Sequence, residues 1–215
     1  IPQEIPLDII YEDDCLIAVD KNPGIVVHPT VSHPFGTLAN GLVRYLSGKG
    51  INVKVRPVNR LDRDTSGIVL FALNQYVQEM LVRQMKENTF IKEYLGIVHG
   101  TPTPREGTID LPIDRKPGSI MLREISPGGY PSVTHYRVVE SLGDYSLVEF
   151  RLKTGRTHQI RVHCQAAGFP LLGDTLYSDI PTDLISRQAL HSASVGFSHP
   201  ITGKPVVICS PLPED

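Results

Sequence analysis

Two stretches of the chain concentrate side chains able to do chemistry. The first is Asn59-Arg60-Leu61-Asp62-Arg63-Asp64-Thr65-Ser66-Gly67, which runs directly into the apolar stretch Ile68 to Leu73. A loop that opens from the end of a sheet strand is a favoured place for chemistry, because the sheet fixes its root. Two other readings fit the same residues: an arginine-rich loop whose ion pairs only hold its shape, and Asp62 with Asp64 as a general acid and base. The second stretch runs from Phe150 to Asp174. No acidic residue stands between Glu149 and Asp174, while Arg151, Lys153, Arg156 and Arg161 are basic, which makes it the strongest local positive field in the chain. Lys153-Thr154-Gly155-Arg156-Thr157 has the composition of a turn entering a helix, where exposed amides hold a phosphate oxygen. Arg156 and Arg161 are five apart, about 140° on a helix, so one faces phosphate while the other turns inward. An inward arginine needs a carboxylate, and Asp62 is a candidate. A basic helix lying on the surface is the alternative.

Other chemistries lack support. His28 and His33, and likewise His158 and His163, are five apart with no HExxH, and the three cysteines, Cys15, Cys164 and Cys209, form no CxxC pair, so no metal site or disulfide framework is expected. There is no GxGxxG or GxxxxGK[ST] loop for a nucleotide cofactor and no GxSxG for a serine hydrolase. Tyr94, in Lys92-Glu93-Tyr94, is either core packing on a strand or a stacking platform for a nucleobase.

These residues need a scaffold, and 36 glycines and prolines among 215 residues predict short elements joined by many turns. Strands are expected at 9–11, 16–19, 68–73, 90–98, 136–139, 146–152, 193–197 and 206–209, with a hairpin turning at Gly143-Asp144. Helices are expected at 38–46, through Val77, Met80, Leu81 and Met85 with Asn74 as cap, and at 157–167 with Gly168 closing the last turn. Surface loops around one short strand near Ile109 are expected between Thr101 and Pro131. Strands outnumber helices without regular alternation, which predicts an α+β fold with a mostly antiparallel sheet. The net charge of −2 excludes a globally basic nucleic-acid coater, though not a local basic patch. No apolar run approaches the length of a membrane span.

The chain resembles the RluA-type family of RNA pseudouridine synthases. The likeness lies in RLDRDTSG at Arg60 to Gly67, KEY at Lys92 to Tyr94, LKTGRTHQIRVH at Leu152 to His163, and GDxxY at Gly173, Asp174 and Tyr177; the opening IPLDIIYEDDCLIAVDKNPGIVVHP and LHSA at Leu190 to Ala193 extend it over nearly the whole chain. The resemblance implies a pseudouridine synthase fold: a long, bent, mostly antiparallel sheet in two halves with a central cleft and peripheral helices. Residues 1–215 would then be one catalytic domain, with no S4-like domain in this chain. It implies that Asp62 is the catalytic aspartate, Tyr94 the residue stacking on the target uracil, and Arg161 the partner of that aspartate. Arg60, Arg156, His158, Asn59 and Lys153 would face RNA. Asn59 departs from the family, which usually has histidine there. The reaction exchanges the N1 to C1′ bond of uridine for a C5 to C1′ bond and needs no cofactor or metal. The expected partner is structured RNA, ribosomal RNA of the large subunit first and transfer RNA second, handled by a cytoplasmic monomer without a membrane.

Overall fold

The computed structural model describes residues 1–31 and 33–214. In chain order the elements are β1 (Asp8–Glu12), β2 (Leu16–Lys21), α1 (Leu38–Gly48), β3 (Arg56–Pro57), β4 (Ser66–Ala72), α2 (Gln75–Lys86), β5 (Ile91–His99), β6 (Glu106–Asp110), β7 (Ile113–Arg115), β8 (Arg123–Ile125), β9 (Val133–Leu142), β10 (Tyr145–Leu152), α3 (Gln159–Ala166), β11 (Leu190–Ser198) and β12 (Pro205–Cys209). The residues group into two compact units, Ile1–Ile91 with Ser192–Glu214, and Lys92–His191.

In the first unit β2 pairs antiparallel with β1 and β4, β3 pairs with β4, and β11 pairs with β12. Every residue of β4 is buried, which explains its unbroken apolar run: a strand covered on both faces has no polar side to alternate with. Alternate residues feed two cores. Ile68, Leu70 and Ala72 pack with Val77 and Leu81 of α2 and with Phe90, Val195 and Phe197. Val69 and Phe71 pack with Ile17 and Val19 of β2 and with Leu38, Leu42 and Leu46 of α1. Each buried Val, Leu, Ile or Phe among them contributes about 1.5–3 kcal/mol. Asn74 caps α2 as expected, its side chain accepting from the Val77 amide at 2.9 Å. Helix α1 begins with a capping box the sequence analysis did not anticipate: Thr37 accepts from the Asn40 amide and Asn40 from the Thr37 amide.

In the second unit β10 pairs antiparallel with β5 and β9, and β6 with β9. Burial alternates along β5, placing Lys92, Tyr94, Gly96 and Val98 on the inward face. The hairpin turn falls at Gly143-Asp144 as expected, with Gly143 at φ 73°. The stretch 101–131 departs from expectation. Besides β6 around Ile109 it holds β7 and β8, paired through Ile113 and Ile125. Three-residue strands carry no detectable alternation; what defines this pair is tertiary, since Ile113, Leu122 and Ile125 pack with Val162 of α3 and Tyr177. Helix α3 starts two residues later than expected, after His158 in the left-handed region at φ 57°. Among the described residues no helix is long and apolar enough to cross a membrane.

Candidate active site

The loop of the first unit that carries Asp62 is held from below by backbone contacts. Asn59, 8% exposed, donates from Nδ2 to the Ile68 carbonyl at 2.9 Å and accepts at Oδ1 from the Leu70 amide at 2.8 Å. Its amide thus does what a neighbouring strand would do for β4; in this structure both its polar ends serve the backbone, and contact with RNA remains an expectation. Lys21, 1% exposed, donates to the carbonyls of Arg63 at 2.7 Å and Asn22 at 2.9 Å. The Gly24 amide donates to the same Arg63 carbonyl. Gly67 closes the loop at φ 104°, and a Cβ there would stand 2.3 Å from the Ser192 carbonyl oxygen, so only glycine fits. Arg63 forks onto the Asp64 carboxylate at 2.9 to 3.2 Å. Asp64 therefore belongs to an ion pair that shapes the loop. Asp62 is half-buried, and its carbonyl accepts from the Thr65 amide. Arg60 is exposed, and His28 is close enough to feel its charge: burial first, then Arg60, holds the His28 imidazole below its usual pKa.

In the second unit the motif at 152–163 divides into residues that build and residues that present. Gln159 accepts from the Thr154 hydroxyl at 2.8 Å and the Arg156 amide at 3.0 Å, and donates to the Val133 carbonyl and to Thr134 Oγ1. Thr134 donates to His163 Nδ1 at 2.8 Å, and His163 Nε2 donates to the Leu111 carbonyl at 2.9 Å. That chain fixes His163 as the neutral Nε2 tautomer, and burial keeps its pKa low. The Arg156 amide is thus spent on Gln159.

Arg161 does turn inward, with 5% of its side chain exposed, and Arg156 stays outside; Arg156 lies on the loop before α3, so its exposure comes from that loop and not from an angular offset around the helix. Within its own unit the carboxylate it meets is Asp174, 1% exposed: Nε and Nη2 donate to Oδ2 and Oδ1, both at 2.7 Å. The Leu176 and Tyr177 amides also donate to Asp174. Such a fork is charge-assisted and geometrically exact in what it fixes, the plane of the guanidinium. Tyr177 lies under that guanidinium at 5.1 Å, accepts from the Arg123 amide and is hydrogen-bonded to His158 Nδ1 at 2.7 Å. Asp174 and Tyr177 thus orient Arg161 and His158, a role the sequence analysis did not give them. The signal was available: Asp174 is the first acid after a basic run whose buried arginine required one.

Tyr94 is 6% exposed and faces Phe150 across the β5–β10 pair. Lys153 and Arg156 are exposed on the loop before α3, with Arg156 near the Tyr130 ring at 5.4 Å. Asp62 belongs to the first unit, and Tyr94 and Arg161 to the second.

One set of side chains has metal-ligand spacing in space though not in sequence: Asp13, Cys15 and His199 of the first unit. Its bonds are those of a clasp. His199 Nδ1 accepts from the Ile201 and Thr202 amides, so Nε2 carries the proton it donates to Asp13 at 3.0 Å. Burial raises Asp13, but hydrogen bonds from Tyr11 and from the Cys15 and Leu16 amides bring its pKa to about 2. Burial, followed by Asp13, pushes the Cys15 thiol up to about 12, which keeps it protonated.

Comparison with known proteins places the chain in a family. The model of the RNA pseudouridylate synthase family matches residues 15–166. An RNA pseudouridine synthase of Bacillus subtilis, YjbO, is 42% identical over 213 residues, covering 99% of this chain and 75% of the relative. Ribosomal large subunit pseudouridine synthase D of Vibrio parahaemolyticus is 41% identical over 226 residues, covering 99% of this chain and 69% of the relative. The solved structure of human RNA pseudouridylate synthase domain containing 1 superposes with a TM-score of 0.76 at 29% identity, covering 96% of this chain and 83% of that one. The chain belongs to the RNA pseudouridylate synthase family. It is an RNA pseudouridine synthase, an isomerase, with the α+β, mostly antiparallel architecture of that fold.

Proposed function

We propose that the substrate is large-subunit ribosomal RNA and that residues 1–215 act as one catalytic domain, a cytoplasmic monomer, through Asp62. The observation that carries the substrate is the 41% identity, over 99% of the chain, to a protein named for the large ribosomal subunit. In this reading Asp62 acts at the ribose, either by attacking C1′ or by removing the 2′ proton. Arg161, its plane set by Asp174, keeps Asp62 ionised and fixes its rotamer. The target nucleotide leaves its stack, Arg60 fills the gap, and the detached uracil lies on Tyr94 while it turns to present C5. Bond formation at C5 is completed by loss of the C5 proton and gain of one at N1. Lys153, Arg156, His158 and Asn59 lie on the RNA side, with the exposed cations Lys153 and Arg156 meeting phosphate.

Mapping pseudouridine in total RNA from cells with and without the gene tests the substrate. Loss at a defined large-subunit position is expected. Loss confined to transfer RNA would replace ribosomal with transfer RNA as the substrate and leave the chemistry unchanged.

A further inference from the structure

We infer that the Lys92 ammonium stabilises the uracil anion released when the C1′–N1 bond breaks. The inference rests on the proposed site, with Asp62 acting at the ribose and Tyr94 stacking on the uracil. Lys92 is 9% exposed, and among the described residues its Nζ has no hydrogen-bond or ion-pair partner. The contrast with Lys21 is instructive: that buried ammonium is answered by two carbonyls. Burying an ammonium is costly unless something compensates it, and burial alone lowers the Lys92 pKa. A cation kept in such a place has use for an anion that arrives later.

Two observations locate it beside the proposed chemistry. Lys92 and Tyr94 are alternate residues on the inward face of β5, so their side chains rise from the same face about 7 Å apart along the strand. A Cβ on Gly155 would stand 3.4 Å from Lys92 Nζ, which puts the ammonium against the loop carrying Lys153 and Arg156. Heterolysis of the glycosidic bond sends the electron pair to N1, and the charge spreads over N1, O2 and O4 of the leaving uracil. A Lys92 N–H directed at a ring oxygen stabilises that charge without transferring its proton, and does so only after the bond has begun to break. When C5 bonds C1′ the pair re-enters a covalent bond and the interaction ends.

The test is single-turnover kinetics of Lys92→Met on RNA carrying either uridine or 5-fluorouridine at the target, read as disappearance of the starting nucleoside after nuclease digestion. Fluorine makes the leaving uracil more acidic, so it depends less on an external cation. On uridine a loss of about 100-fold is expected, with RNA affinity nearly unchanged. On 5-fluorouridine the gap from wild type should shrink by about tenfold, and Lys92→Arg should recover much of the uridine rate. Equal losses on both RNAs, a wild-type rate, or a defect confined to affinity with a weaker salt dependence would overturn the inference; the last would make Lys92 a phosphate contact. Lys92→Gln, judged by the same ratio, serves if methionine unsettles the fold. Asp62→Asn is run alongside. Normal turnover by that variant would overturn the underlying site, whereas an inactive Asp62→Asn with an unimpaired Lys92→Met would overturn only the role of Lys92.

Discussion

Arg161 gathers the buried polarity of the second unit: a carboxylate fork from Asp174, and an aromatic face from Tyr177 that also holds His158. Removing one member of a buried pair strands the other. Asp174→Asn is therefore expected to destabilise the protein by about 3–5 kcal/mol, measured by urea unfolding. Asp62→Asn belongs to a different class: if Asp62 acts at the ribose as proposed, it should cost at least about 1,000-fold in turnover while RNA still binds, because the charge is lost with little change in volume. Asp64→Asn breaks only an exposed pair with Arg63 and should change turnover little, by less than about 1 kcal/mol of barrier. Rapid-quench assays of both variants against filter-binding affinities separate these outcomes. A crystal structure with RNA bound should place a guanidinium nitrogen of Arg161 about 3 Å from an Asp62 carboxylate oxygen.

Strands β4 and β5 show how elements deliver these residues. β4 is rigid because both faces are packed, and the Asp62 loop is tied to it by Asn59 and to β2 by Lys21. Gly67→Ala would force a Cβ into the Ser192 backbone at positive φ, and a loss of about 3 kcal/mol or more is expected in thermal or urea melts. The clasp between the β1–β2 and β11–β12 turns gives a pH signature. Asp13 is depressed to about 2 when folded and titrates near about 3.9 when unfolded. Its contribution is thus complete above about pH 4 and is lost as the pH falls towards about 2. Allowing for solvent screening it amounts to about 1 kcal/mol, so Asp13→Asn should flatten the acid limb of a stability profile by that much.

At the scale of the whole molecule, a net charge of −2 means that affinity for RNA comes from placement of cations rather than their sum. Arg156→Ala should lower the slope of log affinity against log salt by about one phosphate contact, and binding to generic double-stranded DNA should be weak. An unchanged slope in a salt titration would remove Arg156 from the RNA surface.

The sequence alone determined much of this protein because its decisive features are local. Asn74 at the start of α2, Gly143 in the hairpin and the apolar run of β4 all follow from backbone geometry within a few residues. The motifs around Asp62 and Arg161 are enough by themselves to place the chain among RNA pseudouridine synthases. What needed the tertiary structure were pairings across long separations, which no local pattern encodes. Strands β7 and β8 exist because α3 and Tyr177 cover them; Asp174 was named by its motif, but its fork onto Arg161 is a fact of packing. Asp13 finds His199 only through the folding of two distant turns, and Lys92 stands out only once burial shows an ammonium without a partner among the described residues. Hydrophobic periodicity and turn chemistry are written into neighbouring residues, whereas the satisfaction of buried charge depends on which distant group the fold brings near.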